Sequence, residues 1–443
     1  MNTELLLNIF HAALSAVDPH RAVKRALRVE NNALYAGGSV YSLDAFDRIF
    51  VVGAGKAASP MAAAVEDALG DKIDNGLIIV KYGHAGKLKT IEQVEAAHPI
   101  PDEAGVSGTR RLLDVVHRAD EKTLVLCLLS GGGSALLVSP LPGITLEDKQ
   151  KTTDLLLKAG ASIGELNAVR KHLSSVKGGK LARAAFPAST VTLILSDVIG
   201  NTLDVIASGP MVPDSTTFAD VSAVIEKFGL KTALPERVSA FIERGMSGQE
   251  QETAKKEESC FKNVRSVIVG DITEALAAAR RKAESSGYAT DLLTTELQGE
   301  ARDAARMLAQ TALRIQGALK LGERRCLLSG GATTVTVRGT GKGGRNQELA
   351  LAFAREIAGR KGITLLSAGT DGTDGPTEAA GAVVDGTTAI KAAELGIDPE
   401  AYLENNDSHA FFGKLDALTG EKHHLITGPT GTNVMDLQII LIE

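Results

Sequence analysis

The stretch Thr123-Leu-Val-Leu-Cys-Leu-Leu-Ser-Gly-Gly-Gly-Ser134 decides the fold class of this sequence. Thr123–Leu129 is an almost wholly apolar run, which is typical of a strand buried on both faces of a parallel sheet. Similar runs at Ile49–Val52, Leu77–Val80 and Val191–Leu195 alternate with segments of helical periodicity. This alternation predicts βαβ crossovers and an α/β fold with helices on both faces of a mostly parallel sheet.

A second series of alternating strands and helices begins at Val264 and runs to Ser367. Between the two series lies Gly245–Glu258, which is rich in Gln, Glu and Lys and has no large apolar residue except Met246. Such a polar stretch is typical of an inter-domain linker. We therefore predict an N-terminal domain over residues 1–244, a linker over 245–258 and a C-terminal domain over 259–443.

The composition excludes several classes of protein. The 443 residues carry 48 Lys and Arg against 54 Asp and Glu, a net charge of −6, which argues against nucleic acid as a partner. Three separated cysteines form neither a disulfide framework nor a zinc-binding cluster. Glycine is abundant at 46 residues and aromatics make up only 4%, which favours an enzyme that handles small polar molecules with backbone loops.

No segment has the pattern of a membrane anchor or a secretion signal. The first residues include Glu4 and lack a basic region. The uncharged stretch Thr123–Leu146 is long enough to span a bilayer, but Gly131–Gly133, Pro140 and Pro142 interrupt it. We therefore expect a cytoplasmic protein that does not contact a membrane.

The turn Gly53-Ala-Gly-Lys-Ala-Ala58 lies between a predicted strand and a predicted helix. Gly53, Gly55 and Ala58 fit the dinucleotide fingerprint G-x-G-x-x-G/A, although no acidic residue ends the next strand to bind a ribose. Lys56 adds a cation to this turn, so a phosphate site is a second interpretation. An ordinary glycine turn with a solvated lysine is the third.

Two further elements of the N-terminal half are candidates for anion binding. The three glycines of Ser130–Ser134 suit either a close approach of the backbone to a ligand or a tight strand-to-helix turn. Helical spacing within Glu165–Gly179 creates a polar face that is either a binding surface or merely solvated. The candidate residues are Ser130, Gly131, Gly132, Gly133, Ser134, Asn167, Arg170 and Lys177.

Carboxylates follow predicted strands at two places. Asp197 comes directly after Val191–Leu195, at the strand end where open α/β sheets bind their ligands. Asp371 and Asp374 lie in the loop Gly369–Thr377, which lacks the bidentate Glu of a calcium-binding EF-hand. Each could hold Mg²⁺, and Asp197 could instead accept a proton from a hydroxyl group. The alternative for Asp371 and Asp374 is an ordinary turn.

Two loops of the C-terminal half carry further polar candidates. The glycine-rich segment Gly341–Glu348 opens a helix with Arg345, Asn346 and Glu348, and its spacing is not that of a P-loop. The planar fork of an arginine suits a phosphate or a carboxylate. The second loop, near the C-terminus, ends at Asn433.

Taken together, these loops suit phosphoryl transfer. They combine glycine-rich turns, dispersed cations and aspartates at strand ends, without a nucleophile elbow or a cluster of metal-binding histidines. Phosphoryl transfer asks little covalent chemistry of a protein, because catalysis consists mainly of positioning the reactants and neutralising charge.

Six ordered motifs resemble the glycerate 2-kinase family, whose C-terminal part is called the MOFRL domain. The resemblance covers nearly the whole chain. The motifs are Gly53–Ala58, Ser130–Ser134, Glu165–His172, Ser196–Val198 with Ser208–Pro210, Gly343–Glu348 and Gly369–Pro376. Compared with the family pattern, Asn201 replaces Asp, Met211 replaces Thr and Met435 replaces Asn.

The resemblance implies ATP-dependent phosphorylation of D-glycerate at its 2-hydroxyl, with Mg²⁺. It implies two dissimilar three-layer α/β/α domains, an N-terminal Rossmann-like domain with a mostly parallel sheet and a C-terminal domain with a mixed sheet, and an active site in the cleft between them. The family's proposed catalytic lysine and arginine match Lys56 and Arg345. The expected partners are a small-molecule substrate and, on general frequency alone, a second copy in a homodimer.

We interpret Lys56 and Arg345 as binding either the carboxylate of glycerate or the transferring phosphoryl group. Ser130–Ser134 would hold phosphate oxygens, Asp197 would orient the 2-hydroxyl or bind Mg²⁺, and Asp371 or Asp374 would add metal contacts. Three alternatives stay open: an NAD(P)-dependent hydroxypyruvate reductase, a kinase for a related short hydroxy acid, and a non-catalytic sensor of sugar acids or phosphate.

Overall fold

The computed structural model describes residues 2–443, so Met1 lies outside the described residues. The chain forms two compact units. The N-terminal unit comprises Pro19–Val269, and the C-terminal unit comprises Gly270–Glu443 together with the N-terminal segment up to Asp18. The division between the units at Val269 and Gly270 lies C-terminal to the predicted linker over residues 245–258.

The secondary structure alternates between strands and helices along most of the chain. Up to the end of the N-terminal unit the elements are α1 (Thr3–Ala16), α2 (Pro19–Ala26), β1 (Leu27–Glu30), β2 (Ala33–Ala36), β3 (Ser39–Ser42), β4 (Arg48–Ala54), α3 (Ala58–Leu69), β5 (Asn75–Lys81), β6 (Glu92–Ala96), α4 (Glu103–Val116), β7 (Thr123–Leu129), α5 (Gly133–Leu136), α6 (Leu146–Lys158), α7 (Ile163–His172), α8 (Lys180–Ala185), β8 (Ser189–Leu195), α9 (Phe218–Lys227), α10 (Glu236–Met246) and β9 (Val264–Gly270). The remaining elements are α11 (Ile272–Ser285), β10 (Ala289–Leu297), α12 (Ala301–Ala318), β11 (Arg325–Gly331), α13 (Arg345–Glu356), β12 (Ile363–Gly369), β13 (Gly381–Asp385), α14 (Thr388–Glu394), α15 (Pro399–Glu404), α16 (Ser408–Thr419), β14 (His424–Leu425) and β15 (Asp436–Ile442).

The N-terminal unit is built on a six-stranded sheet with the order β6-β5-β4-β7-β8-β9. The pairs from β6 through β8 are all parallel. Every residue of β7 is buried, as its apolar run predicts, because helices cover both faces of a doubly wound sheet. The predicted Rossmann-like, mostly parallel sheet is confirmed. A small antiparallel sheet of β1, β2 and β3, which the apolar runs do not reveal, precedes it.

The predicted linker is part of the N-terminal unit. Glu252 lies 2.9 Å from the ring of buried His172, and Glu258 accepts hydrogen bonds from Arg183, the shorter at 2.7 Å. Ion pairs therefore hold this polar segment against the rest of the N-terminal unit. Ala254 in the same segment is fully buried and exchanges backbone hydrogen bonds with Gly178 and Asp214.

The C-terminal unit has a mixed sheet with the order β10-β11-β15-β12-β13-β14, as expected. Only the β10–β11 pair is parallel, and the last strand, β15, lies between β11 and β12 with all seven residues buried. Helix α1 packs against α11 of this unit and buries Leu6, Ile9, Phe10 and Ala13. No helix within residues 2–443 combines the length and apolarity needed to cross a bilayer.

Candidate functional site

Several predicted residues of the N-terminal unit share one edge of its parallel sheet. Lys56 follows β4, the loop Ser130–Ser134 follows β7, and Asp197 follows β8. His98, which is not among the predicted residues, lies beyond the end of β6. The carboxyl ends of parallel strands are where open α/β sheets bind their ligands.

The backbone amides of the turn after β4 are already engaged within the protein. Lys56 N–H donates to the carbonyl of Gly131 at 2.8 Å, and Ala57 N–H donates to Oγ of Ser130 at 3.0 Å. The N–H of Gly55 donates to a carbonyl of β5 at 3.1 Å. A dinucleotide fingerprint would instead present such amides to a pyrophosphate, so this turn has the sequence of the fingerprint without its donor arrangement.

The two glycines of this turn have a packing role. A Cβ at Gly53 would overlap the carbonyl of Leu128, and one at Gly55 would overlap the side chain of Ser130. Gly55 also has φ +146°, which side chains other than glycine rarely adopt. Both glycines therefore allow the turn to lie directly against β7 and its loop, whatever ligand binds nearby.

The loop after β7 differs from that turn. No hydrogen bond among residues 2–443 uses the amides of Gly131 or Gly132. Gly132 has φ +83°, and a Cβ there would lie 3.0 Å from the ring of His98 and 3.4 Å from Cγ of Lys56. Two consecutive amides beside a lysine and a histidine form the donor arrangement that an anion requires.

A directed chain of hydrogen bonds fixes this loop. Lys177 Nζ donates to the Ser134 carbonyl at 2.7 Å and to Ser134 Oγ at 3.3 Å, and the Ser134 and Ser208 hydroxyls are 2.6 Å apart. Ser208 donates to Oδ1 of Asn167 at 3.0 Å, so the Ser134 hydroxyl is left to donate to Ser208. The chain therefore runs from Lys177 through both serines to Asn167.

Ser208 is a candidate site residue that lies in one of the six motifs but is not among the predicted residues. Its φ is +60°, and the preceding Ala207 has φ +51°, so two residues other than glycine are in the left-handed region. Such strain persists only where the surroundings enforce it, and it is concentrated at functional sites. Here the hydrogen bonds from Lys177 to Ala207 and from Ser208 to Asn167 hold the strained turn.

Three buried lysines fasten the helix that carries Asn167 and Arg170. Lys149 and Lys180 donate to backbone carbonyls just beyond the end of α7, at 3.1 and 2.7 Å. Lys171, with 2% of its side chain exposed, pairs at 3.1 Å with the fully buried Asp214. Burial, together with charges of neighbouring cations, lowers the pKa of Lys149 to about 7 and that of Lys180 to about 8.

In the C-terminal unit, Arg345 begins α13 and pairs with Asp436, which begins β15. The Arg345 Nη2 donates to Asp436 Oδ1 at 2.9 Å, and its Nε donates to Oδ2. Burial opposes the charge of Arg345, but the bonds and charge of Asp436, with the charges of Asp374 and Asp371, outweigh it and raise the pKa. The guanidinium is thus permanently charged and held by a bidentate contact.

Asp374 caps α13. Its Oδ1 accepts the N–H of Asn346 at 3.0 Å and its Oδ2 accepts the N–H of Gln347 at 2.9 Å. Burial, partly opposed by these two bonds, raises the pKa of Asp374 to about 6. Asp371 is only partly buried and accepts the N–H of Thr373 at 3.1 Å. Of the two predicted metal ligands in this loop, Asp374 therefore caps a helix, whereas Asp371 accepts hydrogen bonds from Thr373 in its own turn.

Two other predicted residues of α13 are internal. Asn346 is 1% exposed and accepts a hydrogen bond from Ser367 at 2.8 Å. Glu348 is 3% exposed and accepts from Arg302 at 2.7 Å and from Asn406 at 3.1 Å. These partners give both side chains a role in positioning the helix.

Asn433 lies in the loop before β15 and accepts the N–H of Met435 at 3.2 Å. Met435 has φ +77°, a conformation in which asparagine is several-fold enriched over most residues. Met435 therefore adds backbone strain next to Asp436. Among residues 2–443, no three carboxylate, imidazole or thiol groups converge in a way that could hold a metal ion.

The N-terminal unit has a parallel sheet with donor loops at its carboxyl edge, and the C-terminal unit has a mixed sheet and an arginine held by a bidentate salt bridge. These features define an α/β enzyme for small anionic molecules. Comparison with known proteins makes this more specific. Residues 5–243 match a family described as a domain of unknown function, DUF4147, and residues 325–436 match the MOFRL family. A D-glycerate 2-kinase of Thermotoga maritima is 45% identical, with 99% of this chain and 98% of that protein covered.

Other relatives have similar coverage. A glycerate 2-kinase of Pyrococcus horikoshii is 42% identical over 99% of this chain and 97% of its own, and a putative hydroxypyruvate reductase of Agrobacterium vitis is 41% identical over 99% and 94%. The crystal structure of a Thermotoga maritima glycerate kinase matches with a TM-score of 0.85 and 44% identity over 99% of both chains. The chain belongs to the glycerate 2-kinase family.

Proposed function

We propose that this protein is an ATP-dependent kinase that phosphorylates D-glycerate on its 2-hydroxyl to give 2-phosphoglycerate. The observation that carries the proposal is the likeness, over nearly the full length of both chains, to a D-glycerate 2-kinase. The clamped guanidinium of Arg345 and the amides of Gly131 and Gly132 supply the kind of donors that phosphoryl transfer requires.

The proposed chemistry consists of positioning and charge neutralisation. Lys56 and Arg345 act on the transferring phosphoryl group or on the carboxylate of the acceptor. The loop Ser130–Ser134 binds phosphate oxygens through its amides and hydroxyls. Asp197 accepts a hydrogen bond from the 2-hydroxyl and orients its oxygen towards the phosphorus atom. Because the transition state carries charge on its equatorial oxygens, fixed donors at those oxygens lower the barrier.

Mg²⁺ fits this residue set as an ion held jointly by protein and nucleotide. Mg²⁺ is usually bound through one or two carboxylates together with phosphate oxygens. Asp371 is the carboxylate that we assign to it, since both oxygens of Asp374 cap α13. When bound, the ion would neutralise charge on the phosphates.

Two rival activities are separated from the kinase by particular observations. A hydroxypyruvate reductase would need the turn after β4 to bind a dinucleotide, but the amides of Gly55, Lys56 and Ala57 are already engaged. A kinase for another short hydroxy acid would use the same residues, so only the relative rates with different acids separate it from the proposal.

The deciding experiment is an assay of the purified protein with Mg·ATP and D-glycerate, with the product identified by phosphorus NMR. The expected result is 2-phosphoglycerate and no 3-phosphoglycerate, with turnover lost when Mg²⁺ is chelated. NADH with hydroxypyruvate, and ATP with other short hydroxy acids, run in parallel. Consumption of NADH without a phosphorylated product would overturn the proposal in favour of the reductase.

We further propose a cytoplasmic location on the basis of the composition. We also propose a homodimer, on the basis of the general frequency of two-fold dimers. Light scattering of the eluting protein during size-exclusion chromatography tests the assembly. A mass of one chain would contradict the homodimer.

A further inference from the structure

Four buried lysines and the partly buried Arg170 lie on or beside α6, α7 and α8 of the N-terminal unit. The lysines are Lys149, Lys171, Lys177 and Lys180. The four lysines are buried and each donates to a protein acceptor, namely a backbone carbonyl or the carboxylate of an aspartate. Their positions are thus explained by the fold itself.

Arg170 is the exception. It is partly buried near the end of α7, and burial lowers the pKa of its guanidinium. Within residues 2–443 it makes no hydrogen bond or ion pair. Its charge contributes to the lowered pKa of Lys149 and of Lys177, so it lies within electrostatic reach of both. A partly desolvated guanidinium among other cations is unfavourable unless an anion compensates it.

Asn167 lies one turn before Arg170 on the same face of α7. It is 4% exposed, and its Oδ1 accepts the hydrogen bond from Ser208. This bond fixes the orientation of the amide and leaves its two N–H donors without an acceptor among residues 2–443. The helix therefore presents a guanidinium and an oriented amide, both of which are donors only.

We propose that Arg170 and the amide N–H groups of Asn167 form the subsite for the carboxylate of the acceptor acid, which selects short 2-hydroxy acids over uncharged polyols. The planar fork of arginine matches the two oxygens of a carboxylate. This inference rests on the proposed kinase function and assigns the phosphoryl group, not the carboxylate, to Lys56 and Arg345.

The carboxylate is a spectator in the reaction, and this determines the kinetic signature. Its charge is the same in the ground state and in the transition state, so its contacts contribute equally to both. Loss of such contacts raises KM and leaves kcat nearly unchanged. A phosphate of the nucleotide is the other anion that a guanidinium could bind, and it would show in the KM for ATP.

The test compares R170Q and R170K with the wild type, with R183Q as a matched control. Arg183, on α8, is held by an internal salt bridge to Glu258 at 2.7 Å. For R170Q we expect a rise in KM for D-glycerate of about 100-fold, with kcat and the KM for ATP changed less than about threefold. For R170K we expect a rise of about tenfold, because the charge remains and the fork is lost.

Thermal stability separates a binding role from a structural one. R170Q removes a charge that has no protein partner, so its melting temperature should equal or exceed that of the wild type. R183Q removes an internal salt bridge and should melt at a lower temperature with unchanged KM values. A decrease in the melting temperature of R170Q as large as that of R183Q would show that Arg170 stabilises the fold, and it would overturn the proposal.

Two further outcomes would also overturn it: an increase in the KM for ATP in place of that for D-glycerate, or unchanged kinetics in R170Q. Ligand binding without turnover distinguishes this inference from the proposed function. D-glycerate and D-lactate should raise the melting temperature of the wild type but not of R170Q, and glycerol should raise neither. This result in a wild type that does not phosphorylate D-glycerate would refute the kinase while retaining the carboxylate subsite.

Discussion

At the scale of single residues, Arg345 and Asp436 depend on each other. Asp436 is only 1% exposed, whereas the side chain of Arg345 is 43% exposed, so the arginine compensates a buried charge and still has surface available to a ligand. A variant that removes Arg345 therefore removes more than a candidate catalytic group. It also leaves a buried carboxylate unpaired, which destabilises the folded state.

We expect Arg345→Ala to lower kcat by about a thousandfold and the free energy of unfolding by about 2 kcal/mol. The double variant R345A/D436N should regain part of the stability and none of the activity, because only the unpaired charge is repaired. Steady-state kinetics and urea unfolding measure the two effects. Arg355→Ala, on the same helix and paired with exposed Glu400, is the matched control. Near-normal turnover in R345A would exclude Arg345 from catalysis.

At the scale of secondary-structure elements, α13 shows how a glycine-rich entry and a distant aspartate define one helix start. The N-cap position is occupied by Gly344, which has no side chain to cap the helix. Asp374, from the loop after β12, replaces that side chain and accepts hydrogen bonds from the amides of Asn346 and Gln347, the second and third residues of the helix. The helix that begins with Arg345 is thereby fixed by a loop from elsewhere in the chain.

We expect Asp374→Ala to lower the free energy of unfolding by about 3 kcal/mol, in the presence of chelator as well as of Mg²⁺, because two buried amides lose their acceptor. A metal ligand would behave differently, since its removal relieves charge repulsion when no metal is bound. Chemical unfolding of the variant measures this loss. Glu378→Ala, at an exposed carboxylate of the same loop, is the control and should cost less than about 0.5 kcal/mol.

The cost of Asp374→Ala should also depend on pH. The pKa of Asp374 is raised to about 6 by burial, against an unfolded value near 3.8. The folded state therefore binds more protons than the unfolded state between these values, so the contribution of Asp374 is fully present below the unfolded pKa and is lost as pH rises through the folded one. The loss measured at about pH 4 should exceed that at about pH 7.5. A smaller loss at the acidic end would contradict the raised pKa.

At the scale of the whole molecule, the C-terminal unit is discontinuous in sequence. The chain begins in that unit with α1, builds the entire N-terminal unit from Pro19 to Val269, and then returns. Leu6, Ile9, Phe10 and Ala13 of α1 have no exposed surface, which makes this helix part of the core of the C-terminal unit.

We expect Phe10→Ala in the full-length chain to destabilise the C-terminal unit by about 3–4 kcal/mol. Hydrogen exchange should therefore become faster in α11 and β15, which α1 contacts, and stay unchanged in β4 and β7. His11→Ala, at the exposed neighbouring position, controls for the change of helix propensity. Faster exchange confined to the N-terminal unit would show that α1 stabilises that unit, and it would contradict the prediction.

The sequence by itself determined the α/β class, the buried central strands and the positions of the donor loops, because these follow from local patterns of apolar runs, glycines and charges. The six ordered motifs likewise indicated the family that the comparisons confirmed. Lys56, Arg345 and Arg170 could be selected as candidate site residues from the sequence without tertiary information. Their roles as substrate-binding or catalytic residues stay predictions.

Only the tertiary structure decided which of these groups are committed to the fold. The fingerprint at Gly53–Ala58 has the right letters, but its amides bond to β5 and to the loop after β7. Asp374 looks like a metal ligand in sequence and is a helix cap in space. Sequence spacing records the order of donors and acceptors along the chain. Whether each one is already paired depends on contacts between residues far apart in it, and that is why burial and hydrogen bonding single out Arg170.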